Sequence, residues 1–141
     1  MSALATVARS ITPEQATAFL GREPVATIEL LTALRYDREI QCVGAFVDGA
    51  LAGVLVVGRE DDGALAARFE ATESGALLSL IAACPPVVQR IPVHRPWMLS
   101  ALTSAFRLIP EQPRETVFAA THIALPLSPT VRLVRVADAP I

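Results

Sequence analysis

Few side chains in this chain are equipped for chemistry, and their scarcity is informative. There are two histidines, His94 and His122, and two cysteines, Cys42 and Cys84. Neither histidine has a cysteine or carboxylate at ligand spacing, so no metal centre is expected. No G-x-S-x-G elbow is present to raise a serine nucleophile. All 12 basic residues are arginine. Without lysine there is no P-loop lysine and no Schiff base, and without asparagine there is no N-glycosylation acceptor. Cys42 and Cys84 lie inside apolar patterns and read as buried free thiols of a cytosolic protein. The densest chemical mixture is His94-Arg95-Pro96-Trp97. Two readings stay open there: Arg95 and Trp97 lining a ligand pocket, or Trp97 as a core anchor beside a solvated Arg95.

The bulk composition narrows the classes of partner. The 141 residues suffice for one domain with a real core. They are 52% hydrophobic with a net charge of -2, so nothing calls for nucleic acid or an acidic membrane. So apolar a chain must bury both faces of a sheet or cover an apolar surface with a partner, and a homodimer is expected. The N-terminus has no basic region ahead of an apolar core, so no secretory signal is read there and a cytoplasmic protein is expected. The longest apolar stretch, residues 76–88, is interrupted by Pro85-Pro86 and is too short to span a membrane.

These residues must be positioned by a series of short elements. Residues 3–8 could form a first strand. Thr12-Pro13-Glu14-Gln15 is a helix start: Thr12 caps, Pro13 fits the first turn and Gln15 completes a capping box. That helix turns Ala16, Phe19 and Leu20 inward and ends near Gly21. A second helix is expected from Pro24, with Val25, Ile28, Leu31 and Leu34 on one face. Asp48-Gly49 between two apolar runs, about 40–47 and 50–57, is a hairpin signal. Apolar residues on both faces of its strands make the hairpin central. Residues 58–63 form a polar turn. Leu65, Ala67, Phe69 and Ala71 alternate with Ala66, Arg68 and Glu70 and predict a one-sided strand. Leu77, Leu80, Ile81 and Cys84 predict a helix stopped by Pro85-Pro86. A short strand is expected over 91–94, a helix from Pro96 with Leu99, Leu102 and Phe106 on one face, and strands over 115–121 and 131–136.

This order of elements, with the hairpin at its centre, resembles the GNAT superfamily of N-acetyltransferases. The resemblance covers roughly residues 10–121. It implies an α/β (α+β) fold in which a central, mixed, twisted sheet is flanked by helices on both faces. Phe19-Leu20-Gly21-Arg22-Glu23-Pro24-Val25 and the leucine-rich stretch after it are similar to the degenerate N-terminal half of tandem GNAT proteins. The expected organisation is a GNAT-like domain over 1–124, then a linker and strand over 125–141 that resemble the opening of a second GNAT domain. An edge strand of the first domain is an equal reading of that tail.

The resemblance also locates an acetyl-CoA loop. In the family, a Gln/Arg-x-x-Gly-x-Gly/Ala turn holds the pyrophosphate between a strand and the N-terminus of the next helix, where backbone N–H groups and the helix dipole favour an anion. The matching residues here are Thr72, Ser74, Gly75 and Ala76. One glycine is present, the leading Arg or Gln is missing, and Glu73 brings a negative charge. Thr72 or Ser74 is expected as a plain N-cap. Arg59 to Gly63 is expected to be a solvated turn, not a displaced version of the loop. For proton transfer, Tyr36, Glu70 and Glu115 are the candidates. Tyr36 lies at a helix exit, and Glu70 and Glu115 are expected at the surface, so no catalytic residue is assigned. The expectation is therefore a scaffold or association half that binds no cofactor of its own and pairs with itself or a catalytic GNAT partner. Two alternatives stand beside it: an active small N-acetyltransferase using acetyl-CoA, and a small-molecule binding module.

Overall fold

The computed structural model describes residues 6–106. Its organising element is the hairpin of β2 (Arg38–Val47) and β3 (Ala50–Arg59). Asp48 and Gly49 turn the chain with φ of 49° and 83°, the double left-handed turn whose twist matches that of the flanking strands. β1 (Thr6–Ser10) pairs outside β2, and β4 (Leu65–Ala71) pairs outside β3. The sheet order is β1-β2-β3-β4, with antiparallel pairing at every step. Parallel pairing in the described residues is confined to one bridge, Ala66 with Arg90. The expected strand over 91–94 does not form, because only Arg90 and its neighbour Gln89 reach the backbone of β4.

Helices cover both faces, as expected. On one face, α1 (Pro13–Leu20) and α2 (Ile28–Tyr36) bury Ala16, Phe19, Leu20, Leu30 and Ala33 against Cys42, Val54 and Val56. On the other, α3 (Ser74–Ala83) and α4 (Leu99–Ala105) bury Ala76, Leu77, Leu80 and Leu102 against Ala45, Leu55, Val57, Ala67 and Phe69. The alternation of Val54 and Val56 with Leu55 and Val57 thus feeds two separate cores from one strand.

The α1 start is as read from sequence. Thr12 Oγ1 accepts from the Gln15 N–H at 3.1 Å, and Gln15 Oε1 accepts from the Thr12 N–H at 2.9 Å. The second helix differs. Residues 21–27 form turns, the helix opens only at Ile28, and its buried positions are Leu30 and Ala33. Val25 and Ile28 are exposed. The cause lies in Thr27, whose hydroxyl sits 2.8 Å from the Leu20 carbonyl and 2.9 Å from that of Glu23. It donates to the last carbonyl of α1 and to one in the following turn instead of capping α2, and this consumes the segment that Pro24 was expected to start.

Three further expectations are corrected. β4 is not one-sided: Arg68 and Glu70 are buried, at 9% and 5% exposure. Trp97 is not a core anchor but is 44% exposed, and its neighbour Met98 is buried instead. Pro96 opens a short 3-10 turn (Pro96–Met98) ahead of α4. Cys42 is buried and Cys84 half-buried, both as free thiols. The expected strands over 115–121 and 131–136, the linker, the second-domain reading, Glu115 and His122 lie outside the described residues. No helix among the described residues is long and apolar enough to cross a membrane.

Candidate functional site

The strand β4 carries its polar side chains toward α1 and α2, and there they form two ionic groups. At the middle of the strand, Arg68 donates to Asp37 Oδ2 at 3.1 Å and to Glu60 Oε2 at 3.2 Å. Arg90 joins Glu60 at 3.1 Å and Asp62 at 2.6 Å. This group ties the C-terminus of α2, the β3–β4 turn and the parallel bridge together, which is a structural role. Burial pushes the Asp37 carboxyl up, and Arg68 offsets that in part. The turn of residues 59–63 belongs to the same network: Arg59 pairs with Glu39 and donates to the Gly63 carbonyl at 3.0 Å.

At the end of the strand the second group borders an open space. A cleft of about 340 Å³ is lined by Phe19, Leu20, Arg22, Glu23, Thr27, Glu70 and Thr72. Phe19 and Leu20 form its apolar part. Arg22 lies with its guanidinium 4.2 Å over the Phe19 ring and its Nε on the Phe19 carbonyl. Glu70 is fully engaged: Oε1 takes His94 Nε2 at 3.0 Å and Arg95 Nε at 2.7 Å, and Oε2 takes Arg95 Nη2 at 2.6 Å. Burial pushes the Glu70 carboxyl up, but the bonds and charges of His94 and Arg95 more than reverse this and hold it down at about 2. A carboxylate accepts only, so His94 must carry a proton on Nε2. Arg95 Nη2 also reaches Glu23 Oε2 at 2.9 Å.

This cluster was not assembled by sequence reasoning. Sequence alone places Glu70 at the surface and Arg95 between a pocket and solvent. The structure buries Glu70 and ion-pairs Arg95. The available signal was the position of Arg68 and Glu70, two residues apart on a strand face that two amphipathic helices must cover. Tyr36, by contrast, is 67% exposed at the end of α2.

The four residues matched to the donor loop are dispersed in role. Thr72 lines the cleft, with its backbone N–H and its hydroxyl both on the Ala52 carbonyl, at 2.9 and 3.2 Å. Ser74 and Gly75 are exposed at the start of α3, and Ala76 is buried in the core. Neither Thr72 nor Ser74 caps the helix. The N-cap is Glu73, whose side chain makes no capping bond. A methyl group on Gly75 would meet Glu73 Oε1 at 3.7 Å and Thr6 Oγ1 at 4.0 Å, so this glycine is not demanded by packing within the chain. Among the described residues no group of three His, Cys, Asp or Glu side chains could hold a metal ion.

No family model matches the chain, and no curated protein matches it. Among solved structures, it is similar to a possible acetyltransferase from Clostridium difficile 630, at 10% identity and a TM-score of 0.45, over 85% of this chain and 100% of that one. It is also similar to a ribosomal-protein-alanine N-acetyltransferase from Brucella melitensis biovar Abortus 2308, at 13% identity and a TM-score of 0.41, over 82% of this chain and 100% of that one. These are distant likenesses of fold.

Proposed function

We propose that this chain is a GNAT-like domain without a competent acetyl-CoA site, acting as the scaffold or association half of an acetyltransferase assembly, either with itself or with a catalytic GNAT partner. The element order strand, two helices, hairpin, strand, helix supports the family reading. One observation carries the non-binding part: Glu73 stands at the N-cap of α3, with a carboxylate oxygen beside Gly75. An acid at that position competes with any incoming pyrophosphate for the helix N-terminus, and the six residues 72–77 contain no cation to offset it. The residues present do not fit the cofactor, and no acyl-transfer step follows from them. Glu70, the one carboxylate buried at the cleft, has both oxygens occupied and is held too acidic to act as a base near neutral pH.

Isothermal calorimetry with millimolar acetyl-CoA tests this reading. No heat is expected from the intact chain. Saturable heat, together with acetylation of an amine, would establish the active-enzyme reading instead. The cleft favours a second reading, a small-molecule binding module, for which native mass spectrometry would show a retained ligand mass.

A further inference from the structure

Of the two outer strands of the sheet, β4 is met along its free edge by Gln89 and Arg90, and its residues 66–71 are buried. β1 stands at the opposite edge, with Val7, Arg9 and Ser10 exposed. It pairs with β2 without interruption from Thr6–Val47 to Ser10–Val43. The next N–H, that of Ile11, donates to the Cys42 carbonyl at 3.1 Å. Main-chain groups alternate in direction along an antiparallel strand. Val7 and Arg9 therefore face β2, and Thr6, Ala8 and Ser10 turn their N–H and C=O groups outward. Among the described residues, these outward groups have no main-chain partner. Edge strands are commonly guarded by proline, lysine, a bulge or a projecting charge. β1 has no proline, no lysine and no bulge. Its single charge, Arg9, is folded back over the Phe46 ring at 3.9 Å and leaves the edge open.

We propose that β1 is the self-association edge of this domain: two copies pair their β1 strands antiparallel about a twofold axis at Ala8, joining two four-stranded sheets into one. In that register Ala8 lies opposite the partner's Ala8, Thr6 opposite the partner's Ser10, and Val7 opposite the partner's Arg9. Every outward N–H then meets a carbonyl. Charge selects this register. An axis at Arg9 would set the two arginines directly opposite each other, which is unfavourable. The axis at Ala8 sets each arginine against Val7, an apolar side chain that is 54% exposed in the single copy. The small Ala8 side chains meet on the face that carries α3, where the Thr6 hydroxyl lies beside Gly75, so no bulky group holds the strands apart. A twofold contact closes on itself, so the assembly stops at two copies. The pairing rests on the association reading above and specifies its partner as a second copy of this chain.

The test combines sedimentation of the full chain over a range of concentrations with amide hydrogen exchange read by nitrogen-15 spectra. A monomer–dimer equilibrium is expected. The Thr6, Ala8 and Ser10 amides should slow about tenfold where nine in ten chains are paired. Val7 and Arg9, already bonded to β2, should exchange slowly at every concentration. A8P removes an outward N–H and no bond to β2, a position where an edge strand tolerates proline, and is expected to be a folded monomer. V7R makes the same test through a side chain: it sets an arginine opposite the partner's Arg9 and is expected to weaken pairing about tenfold. A chain monomeric at millimolar concentration, a dimer whose Thr6, Ala8 and Ser10 amides stay fast, or undiminished pairing in folded A8P or in V7R would each overturn the proposal. A monomer that gives no heat with acetyl-CoA sinks the β1 pairing and leaves the association reading to a catalytic partner. A β1-paired dimer that does take up acetyl-CoA sinks that reading and leaves the pairing.

Discussion

At the scale of the residue, Glu70 shows how burial and pairing compete. Burial alone would raise its carboxyl from 4.5, yet His94 and Arg95 bring it to about 2. A carboxyl whose folded value lies below its unfolded one stabilises the protein fully above the unfolded value. That stabilisation is lost as pH falls through the folded value. The window for Glu70 therefore runs from 4.5 down to about 2. E70Q is expected to cost about 3 kcal/mol at neutral pH, because it leaves Arg95 without its buried partner. Denaturant melts at several pH values should show the gap between the intact protein and E70Q closing across that window. A constant gap would show that packing, not charge, sets the cost.

At the scale of the element, the junction between β4 and α3 carries the functional argument. Gly75 has an ordinary contact distance to its neighbours and does not adopt a positive φ. G75A is therefore expected to be neutral or to stabilise by up to about 1 kcal/mol in a thermal melt, since alanine loses less conformational freedom in a helix. A marked loss of stability would mean that the glycine serves a close approach not seen here. The capping box at Thr12 and the Asp48-Gly49 turn were legible because each depends on local chemistry within four residues. The start of α2 was not, because Thr27 bonds backward over seven residues to the Leu20 carbonyl and decides where the helix begins. The expected strand at 91–94 failed for a related reason. Among the described residues, its β-forming residues have no neighbouring backbone to pair with beyond Arg90.

At the largest scale, one four-stranded sheet separates two cores that, among the described residues, share no buried residue. L30A on one side and L77A on the other should each cost about 2–5 kcal/mol. The double variant should show their sum to within about 0.5 kcal/mol. Chemical denaturation of the four proteins checks this, and a coupling well beyond that margin would show that the sheet transmits strain between its faces. The sequence by itself determined the central hairpin, the two-sided burial of β3 and the α/β order of elements, because apolar periodicity and turn chemistry act over short distances. It also places a glutamate, Glu73, and no cation at the β4–α3 junction, the feature on which the proposed lack of phosphate binding rests. Only the tertiary structure decided the fate of Glu70 and Arg95. They are 25 residues apart; read alone, Glu70 is a surface charge and Arg95 stands between a pocket lining and solvent. Folding removes Glu70 from water, and that cost is met only because the chain returns His94 and Arg95 to the same point.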